Sequence, residues 1–126
     1  MQVSSISAAS NAYKTSTTVM NVAQGLAALK LNSKLKITIS DSSANIKNNL
    51  NALNDLNAQI NELKFTDATE LLDLNAKQVN TYAQLLGKFP DNSLKLTDNF
   101  DALNANLTTL RNINVKINKI ILTPSN

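Results

Sequence analysis

Four times along the chain a short phrase returns. It reads Leu35-Lys-Ile-Thr-Ile-Ser-Asp41, then Glu62-Leu-Lys-Phe-Thr-Asp67, then Ser93-Leu-Lys-Leu-Thr-Asp98, then Lys119-Ile-Ile-Leu-Thr-Pro124. Aligned on Asp41, Asp67, Asp98 and Pro124, the copies stand 26, 31 and 26 residues apart. Recurrence at near-constant spacing marks a repeat architecture, in which each unit buries its apolar face against its neighbours. Within each copy apolar residues alternate with polar ones: Leu35, Ile37 and Ile39 against Lys36, Thr38 and Ser40, and Leu94 and Leu96 against Ser93, Lys95 and Thr97. Period two with one apolar face predicts half-buried strands.

The gaps read as helices. Ile46, Leu50, Leu53 and Leu56 step by four and three, as do Phe100, Leu103, Leu107 and Leu110. Val79, Ala83 and Leu86 continue the stripe in the longer gap. Val19, Val22, Leu26 and Leu29 carry it before the first phrase, with Ala8 to Ala12 opening that helix. Each stripe is one helical face wide, so each helix packs on one side. Asp41 and Asp98 stand where the following helix wants an N-cap. Asp67 opens a looser link, with an extra strand near Leu72 to Leu74 and Val3 to Ser7 as its counterpart. Asn32, Asn57, Asn92 and Asn114 fall near helix ends, where Asn tolerates the left-handed conformation. Pro90 stands where the third helix should stop.

Strand, helix and strand joined by crossovers of this length imply parallel pairing and right-handed connections. In a doubly wound sheet the central strands are buried on both faces and read as continuous apolar runs. Here Lys and Thr hold alternate positions, so helices should cover one face while the other meets water. The expected fold is α/β, a βα-repeat solenoid. It forms a single repeat domain over 1–126, with units at approximately 1–41, 42–67, 68–98 and 99–126.

Composition narrows the chemistry. The chain has no Cys, His or Trp, which removes disulfides, thiolate chemistry, most catalytic triads and most zinc sites. It carries no glycine-rich phosphate loop and no nucleophile–base motif. The expectation is a non-catalytic protein with no cofactor. The net charge is +3, but the lysines are scattered singly without interleaved aromatics, so no nucleic-acid partner is expected. No apolar run reaches the roughly 18 residues of a membrane span. The opening Met1-Gln-Val-Ser-Ser-Ile-Ser lacks the basic start and apolar block of a secretory signal. The chain is therefore expected to be cytosolic, exported by another route, or a fragment.

The segment Ile39-Ser-Asp-Ser-Ser-Ala-Asn-Ile46, followed by Asn49-Leu-Asn-Ala-Leu53 and Leu63-Lys-Phe-Thr-Asp67, resembles a repeat of very large bacterial exoproteins. That repeat reads approximately D-T-A-x-N-I-x-x-N-L-x-x-L, a spacer, then I-x-L-T-D. Leu72-Asp-Leu-Asn-Ala-Lys-Gln78, running on through Tyr82 to Leu86, resembles its second half, and Val3 to Ala9 is a weaker copy. The resemblance implies a type I-secreted adhesin or surface-layer component, with an extracellular or cell-surface location and no catalytic residue to transfer. The chain departs from that pattern in being short, rich in Asn and Lys, and without glycine–aspartate calcium repeats.

Two surfaces are candidates for binding. On the polar sheet face, Ser40, Thr66, Thr97 and Thr123 should align across neighbouring strands, with Lys64 and Lys95 two residues earlier beside Thr38 and Ile121. Lys36, Thr38, Lys64, Thr66, Lys95 and Thr97 form the candidate binding face. At the end of the array, Ile120, Ile121 and Leu122 form an apolar edge strand that invites pairing with another chain. The expected partner is a protein or a surface glycan, with further repeats or a second copy at the edge. The alternative is a small intracellular assembly factor that pairs through its edge strands. The recurring aspartates read as caps and turns, since calcium needs six to eight oxygens from a tight loop.

Overall fold

The computed structural model describes residues 18–67 and 70–124. Strands form where apolar and polar residues alternate, and all pair in parallel. β1 (Val19–Met20), β2 (Ile37–Asp41) and β3 (Ile60–Phe65) make one sheet in that order. β4 (Leu72–Leu74), β5 (Leu94–Asn99) and β6 (Ile117–Thr123) make a second. The short strand expected at Leu72 to Leu74 is therefore present. The features expected at Val3 to Ser7 and Ala8 to Ala12 lie outside the described residues.

α1 (Val22–Leu31) joins β1 to β2 as one helix. The other three gaps hold pairs of short helices: α2 (Ser43–Asn48) and α3 (Leu50–Asp55), α4 (Ala76–Thr81) and α5 (Ala83–Leu86), α6 (Phe100–Ala105) and α7 (Leu107–Asn112). The breaks have a local cause at two sites. The Asn49 side-chain amide donates to the Asn45 carbonyl at 2.7 Å, while its backbone N–H turns to the Ile46 carbonyl at 3.1 Å. Asn106 repeats this on Ala102 at 2.8 Å and on Leu103 at 3.1 Å. An Asn side chain that takes the i−4 carbonyl competes with the helix ladder for it. The apolar stripe survives each break, so Ile46, Leu50 and Leu53 all remain buried.

One apolar cluster holds the chain together. Ile37, Ile39, Leu63, Leu72, Leu74, Leu94 and Leu96 from the strands meet Ile46, Leu53, Val79, Leu85 and Leu86 from the helices. The two sheets are linked without a continuous ladder. Leu63 N–H donates to the Lys88 carbonyl at 2.9 Å, and the Phe65 and Phe89 rings meet edge-on at 5.7 Å between centroids.

The two βαβαβ halves correspond residue by residue. Over most of their length equivalent positions lie 57 residues apart, as Asp41 and Asp98 do, or Leu63 and Ile120. The gap after β4 is three residues longer than the gap after β1, so β1 and the start of α1 match β4 and α4 at an offset of 54.

This correspondence explains the recurring Asp. The N-caps of α2 and α6 are Ser42 and Asn99, accepting from Asn45 N–H at 3.1 Å and Ala102 N–H at 2.8 Å. Asp41 and Asp98, expected to cap those helices, reach back to the preceding helix instead. Asp41 accepts from Val22 N–H and Asp98 from Ala76 N–H, each at 3.0 Å. Asp67 does more than open a link: it accepts from Ser43 N–H at 3.0 Å and from the Ser43 hydroxyl at 3.1 Å. Each carboxylate thus fills an orphan donor at the start of the helix before its own strand, where the helix dipole favours negative charge. The fourth position is Pro124, which offers no such side chain.

The carbonyl ends of the helices are tied in the same direction. Gln59 Nε2 donates to the carbonyls of Leu29, Asn32 and Leu35 at 3.2, 2.8 and 3.1 Å. Its equivalent Lys116 donates through Nζ to the Phe89 carbonyl at 2.7 Å. Lys88 Nζ donates to the Asn57 carbonyl. Among the described residues Asn92 alone, apart from glycine, has positive φ, at 61°. Asn92 lies in the turn before β5, beyond the C-cap of α5 at Gly87, so the left-handed helix closure expected at the asparagines is not seen among the described residues.

Candidate interaction surfaces

The polar sheet face differs from its expected layout. Thr38 is 2% exposed, so it is part of the interior and not of an open face. It lies on the middle strand of its sheet, level with Val19 and Glu62, and its N–H donates to the Thr18 carbonyl at 2.9 Å. The expected threonine row does not form. Ser40 lies level with Lys64, and Thr97 with Ile121. Within each sheet the neighbouring phrases are therefore staggered by two residues, β2 against β3 and β5 against β6.

The remaining residues divide. Lys36, Lys64 and Thr66 are exposed. Lys64 approaches Glu62 at 3.7 Å with both side chains in solvent, an arrangement that contributes little to stability. Lys95 and Thr97 are half-buried and converge on one carboxylate. Thr97 Oγ1 donates to Asp73 Oδ1 at 2.8 Å, and Lys95 Nζ lies 3.7 Å from Asp73 Oδ2. These two are engaged across β4 and β5, which leaves less of them for a ligand. Among the described residues no group of three or more carboxylates could hold a metal ion.

The end of the array is different. Ile120, Ile121 and Leu122 are 51%, 43% and 61% exposed. Ile120 and Leu122 line an open apolar groove of about 410 Å³ with Phe100, Leu103, Leu107 and Leu110. Two of the three edge-strand residues named from sequence, Ile120 and Leu122, are brought together with helical residues that sequence reasoning took for core, and Ile121 lies outside the groove. A signal was present in the fourth phrase. Ile121 occupies the position that Lys64 holds in the second, and Pro124 replaces Asp67.

Two titrating groups report on these ties. Hydrogen bonding from Val22 N–H, then from the Asn45 amide and Ser42 N–H, holds the Asp41 carboxyl below its ordinary value of about 3.8, against a smaller opposing effect of burial. Burial, reinforced by repulsion from Lys36, lowers the pKa of Lys88.

Comparison with known proteins gave no match: no family model, no curated protein and no solved structure is significantly similar to this chain.

Proposed function

We propose that the protein is a non-catalytic structural and interaction module. It is a βα-repeat solenoid with right-handed connections, carried by a bacterial secreted or cell-surface protein of the adhesin or surface-layer type. It binds a protein or surface glycan mainly through its terminal strand. The observation that carries this reading is the uncovered apolar groove between β6 and the α6–α7 face. Large patches of this kind on an otherwise polar surface mark interaction sites. The polar face, now Lys36, Lys64 and Thr66, is the lesser candidate because Thr38 is buried and Asp73 engages Lys95 and Thr97. The surface location rests on the likeness of the Asp41 to Asp67 segment to exoprotein repeats.

Protease shaving of intact source cells tests the location. Loss of this chain while a cytosolic protein survives supports surface display. Protection until lysis supports the second reading, an intracellular assembly factor, which the same open edge strand favours. Binding of the isolated protein to source-cell surfaces and to a glycan array tests the site. The I120K/L122K pair should abolish binding, whereas K64A/T66A should reduce it less. Equal binding by wild type and I120K/L122K would exclude the terminal strand.

A further inference from the structure

We propose that the open end formed by β6, α6 and α7 receives the β1–α1 end of a second copy of this chain, so that copies stack head to tail. The inference rests on the reading of β6 as a binding edge and names what it binds.

The molecule holds its own template for this contact. In the first half, the residues equivalent to the open groove are covered. Leu50 is 3% exposed where Leu107 is 40%, and Leu63 is 0% where Ile120 is 51%. What covers them is the start of the second half. β4 packs against α2 and α5 against α3. The Tyr82 hydroxyl donates to Asn51 Oδ1 at 2.6 Å, and Lys88 reaches the Asn57 carbonyl.

The segment elsewhere in the molecule built like β4–α4 is β1–α1. Asn21 and Asn75 are both N-caps, accepting from Gln24 and Gln78 N–H at 2.8 Å in each case. Val22 and Ala76 both donate to a strand-end Asp at 3.0 Å. Among the described residues β1 pairs with β2 alone, and no described strand lies on its other edge. Leu31, counted back from the following strand, is the equivalent of Lys88, the residue whose side chain crosses to the preceding unit. Leu31 is 88% exposed. A copy stacked as the second half stacks on the first brings Leu31 beside Ile120, as Lys88 lies beside Leu63.

Such a contact joins two different surfaces. It is heterologous, so it adds copies without closing unless the rotation closes a ring. Sedimentation velocity of the full chain from about 1 µM to about 1 mM, a range that spans weak to moderate association, should show mass growing with concentration. L31D blocks one end and I120K the other. Both positions are exposed, and circular dichroism should confirm that each variant keeps the wild-type fold. Each variant alone should remain monomeric, and an equimolar mixture should form dimers that grow no further. Self-association by L31D alone would mean back-to-back pairing of β6 and would overturn the proposal. A wild-type chain that stays monomeric across the range would overturn it as well. If that monomer still loses cell-surface binding with I120K/L122K, the binding-edge reading stands and only the second copy is excluded. If stacks form while I120K/L122K binds surfaces normally, the stacking stands and that reading falls.

Discussion

The two halves of this chain repeat one design with two departures. The first half carries Asp67 at the end of its third strand, and the second carries Pro124 in the same place. The first half has its back covered by β4 and α5, and among the described residues the second has no such cover. Near-identical residue types thus meet opposite environments: Leu50 and Leu107 are the same side chain at the same position, one buried and one not. Apolar patterning in a repeat therefore specifies what a position is built to touch, and the neighbour decides whether it is touched. The helix starts show compensation for the missing carboxylate. Asp101 stands in the first turn of α6, where α2 has Ala44. An acid on the helix itself offsets the dipole that Asp67 offsets from the next strand.

The sharpest way to break the comparison is to truncate the equivalent strand residues. Leu63→Ala leaves a cavity in a closed core and should lower unfolding free energy by about 2–5 kcal/mol. Ile120→Ala, measured in dilute solution by urea denaturation, should lower it by less than about 1 kcal/mol. Similar losses would show that the second half is covered in solution.

Next comes the approach of helix to sheet. An added methyl on Gly25 meets the Cδ1 of Ile39 and lies 3.0 Å from the Cδ1 of Ile37, whereas the equivalent residue of α4 is Val79. Gly25→Ala gains roughly 1 kcal/mol of helix propensity and loses about 1–3 kcal/mol to overpacking. The net expectation is a loss of about 1 kcal/mol. A raised melting temperature would mean that the isoleucine tips swing aside freely.

The aspartate ties give a smaller and pH-dependent effect. Asp41→Asn should cost about 0.5–2 kcal/mol, the range for losing a helix cap. The folded-state pKa of Asp41 lies below its ordinary value of about 3.8. Its contribution is therefore full above that value and is lost as pH falls through the folded one. The wild-type and Asp41→Asn stability curves should converge in acid below about pH 4, and parallel curves would remove the tie from the account. In the other direction, Pro124→Asp should raise stability by only about 0.3–1 kcal/mol, because an acid already serves α6.

The smallest effect belongs to the junction between the sheets. Among the described residues the buried Ser93 Oγ has no hydrogen-bond partner. Ser93→Ala should change stability by under about 0.5 kcal/mol or raise it, since an unsatisfied hydroxyl is removed. A loss above about 2 kcal/mol would show that the hydroxyl is bonded in solution.

Much of the architecture could be read directly from the sequence. Period-two alternation located β2, β3, β5 and β6, and the stripe of Ile46, Leu50 and Leu53 located a buried helical face. Parallel pairing followed from the crossover lengths. Asp41, Asp67 and Asp98 were visible as a recurrence, but their partners lie 19, 24 and 22 residues away. A local reading gives such a residue to the helix beside it, and here the third dimension gives it to the helix before. The same stagger moved Ser40 opposite Lys64 and undid the expected threonine row. Thr38 reads as a solvent-facing strand residue in any two-period scheme. Its burial belongs to the tertiary packing of a middle strand. The edge residues Ile120, Ile121 and Leu122 were legible because the fourth phrase breaks its own pattern. Phe100 and Leu107 were not, because they keep theirs.

The side-chain ties to helix starts and to backbone carbonyls run in one direction along the chain. Asp41, Gln59, Asp67, Lys88, Asp98 and Lys116 all reach toward chain that precedes them. The starts of α1, α2 and α4 are each completed by a carboxylate at the end of a later strand, 19, 24 and 22 residues on. Low sequence separation favours fast folding, and the one-way order favours folding as a travelling front. Pulled from its C-terminus, the same chain should come apart in reverse, with release of β5, β3 and β2 in turn uncapping α4, α2 and α1.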